Sequence, residues 1–145
     1  MPKKILVNLP TKDLEKAKRF YTALGYSMNP DFTDDDVACV VISDEIQVMV
    51  LVEPLFRRFT PRDVADATQV TETILALSVD SREEVDDLVD KALAAGGSPV
   101  DQPDTHDMHS RSFCDPDGHL WEVIWFDPAG LQPEQAATPP ANAPT

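Results

Sequence analysis

The stretch DPDGHLWEVIWFDP, residues 115–128, joins a turn sequence to an apolar strand. Asp115-Pro116-Asp117-Gly118 is typical of a tight β-turn, and LWEVIWF has the aromatic and β-branched composition of a strand. One carboxylate, Glu122, stands inside that strand, where burying its charge is costly unless a metal, a cation or a proton compensates it. The stretch therefore predicts the end of a β-rich unit, with Glu122 as its first candidate functional residue.

The chain contains two similar halves, each of which predicts a strand, a helix and three further strands. Asp13 and Ser81 stand at equivalent places as N-cap residues of the two helices, and Gly25 ends the first helix. The first half predicts the strands KKILVNL, YSMNPDF, VACVVIS and IQVMVLV and the helix LEKAKRFYTAL. The second half predicts the strands TILALSV, SPVDQP, SRSFC and LWEVIWF and the helix REEVDDLVDKALAA. The duplication predicts two βαβββ modules.

The two modules are expected to form one domain, residues 1–128, with the first module at 3–53 and the second at 72–128. The linker between them, residues 54–71, includes PRDVADA, which predicts a short helix after Thr60. Residues 129–145 are rich in Ala and Pro and cannot bury enough apolar area to offset the entropy lost on ordering. We therefore expect a flexible tail there.

Composition excludes several classes of partner. The chain has 145 residues, 42% of them hydrophobic and 26% charged, which is typical of one globular domain. Its formal net charge of −14 disfavours nucleic acid and anionic membrane surfaces, because both need cationic patches. The N-terminal apolar run is too short for a signal peptide, no stretch has membrane-spanning length, and Cys39 and Cys114 are expected to be reduced. These features predict a cytoplasmic protein.

Three segments together resemble the vicinal oxygen chelate superfamily: LPTKDLEKAKRFYTALGY, ALSVDSREEVDDLVDKALAAGG and DPDGHLWEVIWF. That superfamily includes glyoxalase I, extradiol dioxygenases, fosfomycin-modifying enzymes and bleomycin-binding resistance proteins, and the resemblance spans residues 3–127. It implies an α+β fold in which two βαβββ modules form a curled mixed β-sheet cup with the helices outside. It also implies a homodimer, because modules in this superfamily pair within one chain or across a dimer.

The resemblance also implies where a metal would be held. In metal-dependent members, four side chains from the first and last strands of the modules bind the ion, and each is typically His, Glu or Gln. The first-strand positions fall here at Leu6 and Ile74, and the last strand of the first module offers Met49 or Leu51, so only Glu122 matches the pattern. Because Zn²⁺, Ni²⁺ or Fe²⁺ normally takes about three protein donors or more, we expect no bound metal.

Strand alternation predicts a largely apolar cup with few polar groups, as in small-molecule pockets. The expected ligand-binding residues are Asn8, Met49, Ile74, Arg111 and Glu122. Without a metal, Glu122 is expected to stay protonated, to pair with Arg111, to anchor a cationic ligand group or to act as a general base. The sequence leaves these four roles open, and Glu122 is the sole candidate catalytic residue.

The histidines are weaker candidates. His106 and His109 lie in DTHDMHS, a polar loop near the rim of the cup, where either can touch a ligand or act as an acid or base. His119 follows the turn and is expected to be exposed. Side chains expected near the opening are Met49, Met108, Phe56 and Phe59, with Arg57 and Arg58 close by.

Three functions follow from these residues. The first is a metal-free protein that binds a small, largely apolar molecule in its cup, and the missing donors favour it. The second is a glyoxalase-like lyase or dioxygenase-type enzyme that uses Glu122, either with a divalent metal such as Ni, Zn or Fe as its cofactor or with Glu122 as an unassisted acid–base group. The third is a structural dimer module whose cup is filled by side chains. Whether the protein is an enzyme stays open at this stage.

Overall fold

The computed structural model describes residues 2–101 and 108–127. The first module contains β1 (Ile5–Thr11), α1 (Leu14–Ala23), β2 (Ser27–Met28), β3 (Val37–Val41) and β4 (Ile46–Val52). A short helix, α2 (Glu53–Arg57), follows. The second module contains β5 (Ile74–Ser78), α3 (Arg82–Ala94), β6 (Ser98–Val100), β7 (Met108–Cys114) and β8 (Leu120–Phe126).

The two modules have the same sheet topology. The strand orders are β1-β4-β3-β2 and β5-β8-β7-β6. In each sheet the first strand runs parallel to the last, and the remaining neighbours are antiparallel. The predicted duplication and the α+β class with two mixed sheets are thus confirmed, and neither sheet closes into a barrel.

The helices begin where the sequence predicts. The Asp13 side chain accepts a hydrogen bond from the Lys16 amide at 3.1 Å, and the Ser81 hydroxyl accepts one from the Glu84 amide at 3.1 Å. Each bond satisfies an amide that has no partner within its own helix. Gly25 follows α1 with a φ of 104°, a conformation that side chains with a Cβ rarely adopt.

Both modules contribute to one hydrophobic core. Phe20 and Tyr21 on the buried face of α1 pack against Phe113 and Trp121 of the second module, with ring centroids 6.0 and 6.1 Å apart. All four side chains are at most 3% exposed. Burying aromatic rings of this size contributes strongly to stability, so the two modules are expected to fold as one unit.

Two predicted elements are wrong. The strand predicted over YSMNPDF is limited to Ser27–Met28, because Pro30 begins a 3₁₀ turn over Pro30–Phe32 with Asn29 as its N-cap. The helix predicted over PRDVADA is absent from this described segment. The Asp66 carboxylate binds the amide and the hydroxyl of Thr68 at 3.0 and 2.6 Å, which stabilises a turn instead.

Across residues 2–101 and 108–127, the helices are all too short or too polar to span a membrane.

Candidate functional site

Strand alternation gives each sheet a helix-facing side and an opposite side, which we call the cup face. In the first sheet the cup face includes Leu6, Asn8, Gln47 and Met49, and in the second sheet Ile74, Ala76, Ser112 and Glu122. Leu6 is 52% exposed and Ile74 is 58% exposed, although both are aliphatic and each lies in the first two residues of a strand. The cup face is therefore an open surface that combines exposed apolar side chains with polar ones.

Glu122 lies at the centre of the second sheet's cup face. It is half-buried and has Ala76 of β5 on one side and Ser112 of β7 on the other. The Ser112 hydroxyl is buried, and it makes no hydrogen bond within the described residues. A buried hydroxyl without a partner is costly, so this position favours a ligand or water that supplies the missing bond. Ser112 was not among the predicted ligand-binding residues, although strand alternation on either side of the turn places it beside Glu122.

Arg111 is not on the cup face, which corrects its predicted role. It pairs with Val123 across β7 and β8, on the helix-facing side, where its guanidinium bonds Asp86 and Asp90 of α3 at 3.2 and 3.1 Å. The two carboxylates hold Arg111 against α3. Because neighbouring residues of a strand point to opposite faces, Arg111 is not placed to share a ligand with Glu122.

The positions that hold a metal in related folds do not form a donor set here. Leu6, Met49 and Ile74 lie on the cup face where alternation predicts them, and an aliphatic side chain or a thioether cannot replace an oxygen or nitrogen ligand of a hard or borderline ion. Glu122 alone supplies a carboxylate among the four. These residues therefore do not fit a divalent ion held in the manner of the metal-dependent members.

A different cluster of possible metal ligands lies at the turn between β7 and β8. The ligand atoms of Asp115, Asp117 and His119 lie within 4.8 Å of one another. The Asp115 carboxylate accepts hydrogen bonds from the Tyr21 hydroxyl at 2.6 Å and from the amides of Asp117 and His119 at 3.0 and 2.8 Å. Trp121 in turn donates to the Tyr21 oxygen at 3.1 Å.

The other two members of this cluster are also engaged. Asp117 accepts from the Thr11 hydroxyl at 2.6 Å and from the Lys12 amide at 3.0 Å. The His119 ring donates from Nε2 to the Pro10 carbonyl at 2.7 Å. These bonds tie the turn to the end of β1, so the cluster is a hydrogen-bonded joint between the modules. His119 is half-buried, and its predicted exposure is wrong.

Burial changes the acid–base behaviour of this joint. Desolvation raises the pKa of Asp115, and the charge of His119 and the hydrogen bond from Tyr21 offset part of that effect. Desolvation, followed by the neighbouring charge of Asp115, raises the pKa of Tyr21 well above its usual value. Tyr21 is therefore a neutral donor at physiological pH, and its proton stays on the phenol oxygen.

A cavity of about 360 Å³ lies beside this joint, and we call it the module-joint cavity. Its walls come from β1, from the starts of β5 and β8, and from the segment 56–73 that connects the modules. Residues that line it include Val7, Leu9, Phe56, Val64, Leu75 and Leu120. Asn8 also lines it. Of the two phenylalanines predicted near the opening of the cup, Phe56 lines this cavity and Phe59 is 74% exposed.

A second cavity of about 580 Å³ is lined by Tyr26, Ile46, Ser78 and Glu84, among others. Neither cavity is lined by Met49, Ile74, Arg111 or Glu122. The predicted ligand residues are thus not gathered in either cavity of the single chain, and those on the cup face line an open surface instead.

The remaining predicted residues give a mixed result. His109 lies on the helix-facing side and bonds the Asp86 carboxylate through Nε2 at 3.1 Å, so it is a partner of α3 rather than a rim residue. Three predicted features lie outside the part of the chain that the structure describes: His106, the side chain of Met108 and the tail 129–145. Arg57 forms an ion pair with Glu53 at 3.5 Å, within α2.

Comparison with known proteins agrees with this architecture. The family model described as "Glyoxalase/Bleomycin resistance protein/Dioxygenase superfamily" matches residues 5–123. The solved structure of hypothetical protein SA1046 from S. aureus is 29% identical, with a TM-score of 0.72, and the match covers 86% of this chain and 94% of that one. A search of curated protein sequences gave no significant match.

Two further structures share the fold at lower identity. A glyoxalase/bleomycin resistance protein/dioxygenase family enzyme from Burkholderia phytofirmans PsJN is 18% identical, with a TM-score of 0.70 over 87% of this chain and 100% of that one. The fosfomycin resistance protein FosX from Listeria monocytogenes, complexed with Mn(II) and sulfate ion, is 18% identical, with a TM-score of 0.64 over 88% and 93% of the two chains. The family match over most of the chain decides the assignment: this chain belongs to the glyoxalase/bleomycin resistance protein/dioxygenase superfamily.

Proposed function

We propose that the protein binds a small, largely apolar molecule on its cup face and does so without a bound metal. The observation that carries the proposal is the composition of the cup faces, which present Leu6, Met49 and Ile74 together with a half-buried Glu122 and a buried Ser112 hydroxyl. Apolar lining with sparse orienting groups is the usual profile of a small-molecule site. Ser112 and Glu122 are the residues that would orient the ligand.

The residue types at the metal-ligand positions of related proteins support the metal-free part of the proposal. Three of the four positions that carry ligands in metal-dependent relatives are Leu6, Ile74 and Met49 or Leu51 here, and none offers oxygen or nitrogen. The carboxylates and the imidazole at the joint between the modules are already engaged in hydrogen bonds with Tyr21, Thr11 and backbone groups. A competing metal-dependent enzyme would need donors from elsewhere in the chain or from a partner.

We also propose that a second copy of the chain closes the cup. Leu6, Ile74 and Phe126 on the cup faces are each about half or more exposed, and leaving aliphatic and aromatic side chains in water is unfavourable. A homodimer that covers the cup faces would turn an open surface into an enclosed site. Ligand binding and dimerisation would then depend on the same residues.

The metal content of the purified protein tests the first part. We expect less than about 0.1 equivalent of Mn, Fe, Ni or Zn per chain, and no change in thermal midpoint when these ions are added, because fewer than three donors converge. Elemental analysis and a thermal-shift assay measure both. Stoichiometric metal would support the metal-dependent enzyme instead if it is lost in Glu122→Ala and retained in Glu83→Ala. Glu83 is an exposed residue of α3 and serves as the control.

Binding of the neutral apolar dye Nile red tests the cup itself. We expect saturable binding to the wild type and a roughly tenfold or greater loss of affinity in Met49→Lys, because covering the lysine charge with an apolar dye is unfavourable. A tenfold loss of affinity corresponds to about 1.4 kcal/mol of binding free energy. Fluorescence titration measures the dissociation constant. The control Phe32→Lys changes an exposed aromatic residue outside the cup face and should leave affinity within about twofold. Equal losses in the two variants would contradict the location.

The molar mass in solution tests the dimer. Light scattering should give twice the chain mass of 16.0 kDa for the wild type. The double variant Leu6→Lys/Ile74→Lys should be a monomer, because two charges replace apolar contact on the face that is covered. The control Phe32→Lys/Val70→Lys places two lysines at exposed apolar positions off the cup face and should remain dimeric. A monomeric wild type, or a dimeric cup variant, would refute this part.

A further inference from the structure

We infer that the module-joint cavity is a second binding site, for a small apolar molecule that carries one ammonium group. The cavity shares Asn8 and Leu120 with the cup face, but Val7, Leu9 and Leu75 lie on the helix-facing sides of their strands, and the connecting segment forms the rest of its wall. The inference does not rest on the function proposed above, because the walls of the cavity come from the single chain.

The shape of the cavity is set by the way the modules meet. Val7 and Leu9 of β1 form one wall, and Leu75 of β5 and Leu120 at the start of β8 form another. The connecting segment covers them, and its backbone at Ala67 and Thr68 lies so close to Gly118 that a Cβ there would be 2.8 Å away. The joint thus holds the covering segment in place without filling the space beneath it.

The size of this space is that of a small-molecule site. A volume of about 360 Å³ lies within the range of about 300–1,000 Å³ that small-molecule sites occupy. Several lining residues of the connecting segment, among them Val70 and Thr71, are exposed, so the space opens to solvent and a ligand can enter it. An apolar body such as an indole ring fits the chemistry of Phe56, Val64 and Leu75, which contribute aromatic and aliphatic surface.

The charges around the cavity select the polar group of the ligand. Asp63 and Glu72 line it, and its lining contains neither lysine nor arginine. Both carboxylates are exposed, and neither accepts a hydrogen bond or an ion pair from any described residue. Their potential attracts a cation and repels an anion, and the formal charge of −14 on the whole chain acts in the same direction.

Two groups on the wall add hydrogen-bonding preference. The Asn8 side chain donates to the Leu6 carbonyl at 3.2 Å, which leaves its amide oxygen as an acceptor. The His119 ring donates to the Pro10 carbonyl and is thereby fixed in position on the wall. Acceptors near an ammonium group stabilise it, so the wall and the two carboxylates favour the same ligand class.

Three indoles that differ mainly in charge test the inference: tryptamine, tryptophol and indole-3-acetate. Protein-observed NMR titration should show saturable binding of tryptamine, with amide shifts concentrated in residues 63–75 and around His119. We expect tryptamine to bind about three- to tenfold more tightly than tryptophol, and indole-3-acetate to bind most weakly, as expected for exposed carboxylates near a cation. Thr71→Trp, which places a large ring at an exposed lining position, should weaken all three.

A matched pair of variants separates local from global charge. Asp63→Asn/Glu72→Gln should abolish the preference for tryptamine over tryptophol, whereas Asp35→Asn/Glu83→Gln removes the same two charges elsewhere and should retain it. Equal affinity of the three indoles, a preference that survives Asp63→Asn/Glu72→Gln, or shifts confined to the cup strands would each overturn the inference. Absence of saturation below about 10 mM would overturn it as well, because even a weak site of this kind should reach that range.

Discussion

The hydrogen bond from the Tyr21 hydroxyl to the Asp115 carboxylate connects the two modules inside their shared core. It is 2.6 Å long, and Trp121 donates to the same hydroxyl. Asp115 also accepts two amides of its own turn, so one buried carboxylate fixes both the turn and the helix above it. Because β8 begins at the end of that turn, the position of Glu122 on the cup face depends on this contact.

Much of the fold could be predicted from the sequence, because it is set by local patterns. The caps Asp13 and Ser81 and the apolar stripes of α1 and α3 identify the helices, and the repeated order of elements identifies the modules. The errors lie where tertiary or turn contacts decide the structure. The Asp66 carboxylate hydrogen-bonds Thr68 and stabilises a turn instead of a helix. The spacing of apolar residues does not distinguish these two structures. The hydrogen bond between Tyr21 and Asp115 joins residues 94 positions apart, so no local sequence pattern predicts it.

The candidate site was only partly predictable for the same reason. Alternation correctly placed Asn8, Met49, Ile74 and Glu122 on one face, since each depends only on its own strand. Arg111 was predicted to lie near Glu122 because a tight turn joins β7 to β8, but the alternation of β7 and the acidic side chains of α3 place it on the other face. The residue types alone show which positions can offer a metal ligand. Predicting the module-joint cavity requires knowing how the connecting segment lies over β1 and β5.

Urea unfolding of Tyr21→Phe beside Tyr26→Phe tests most directly whether the buried carboxylate holds the modules together. Tyr26 is half-buried, and its hydroxyl makes no hydrogen bond within the described residues, so it is a matched control. Fluorescence of Trp121 and Trp125 reports the second module, and circular dichroism reports both. We expect Tyr21→Phe to lose about 1–3 kcal/mol of unfolding free energy, because Asp115 and Trp121 each lose a partner, and Tyr26→Phe to lose less than about 0.5 kcal/mol. Equal stability of the two variants would contradict the account.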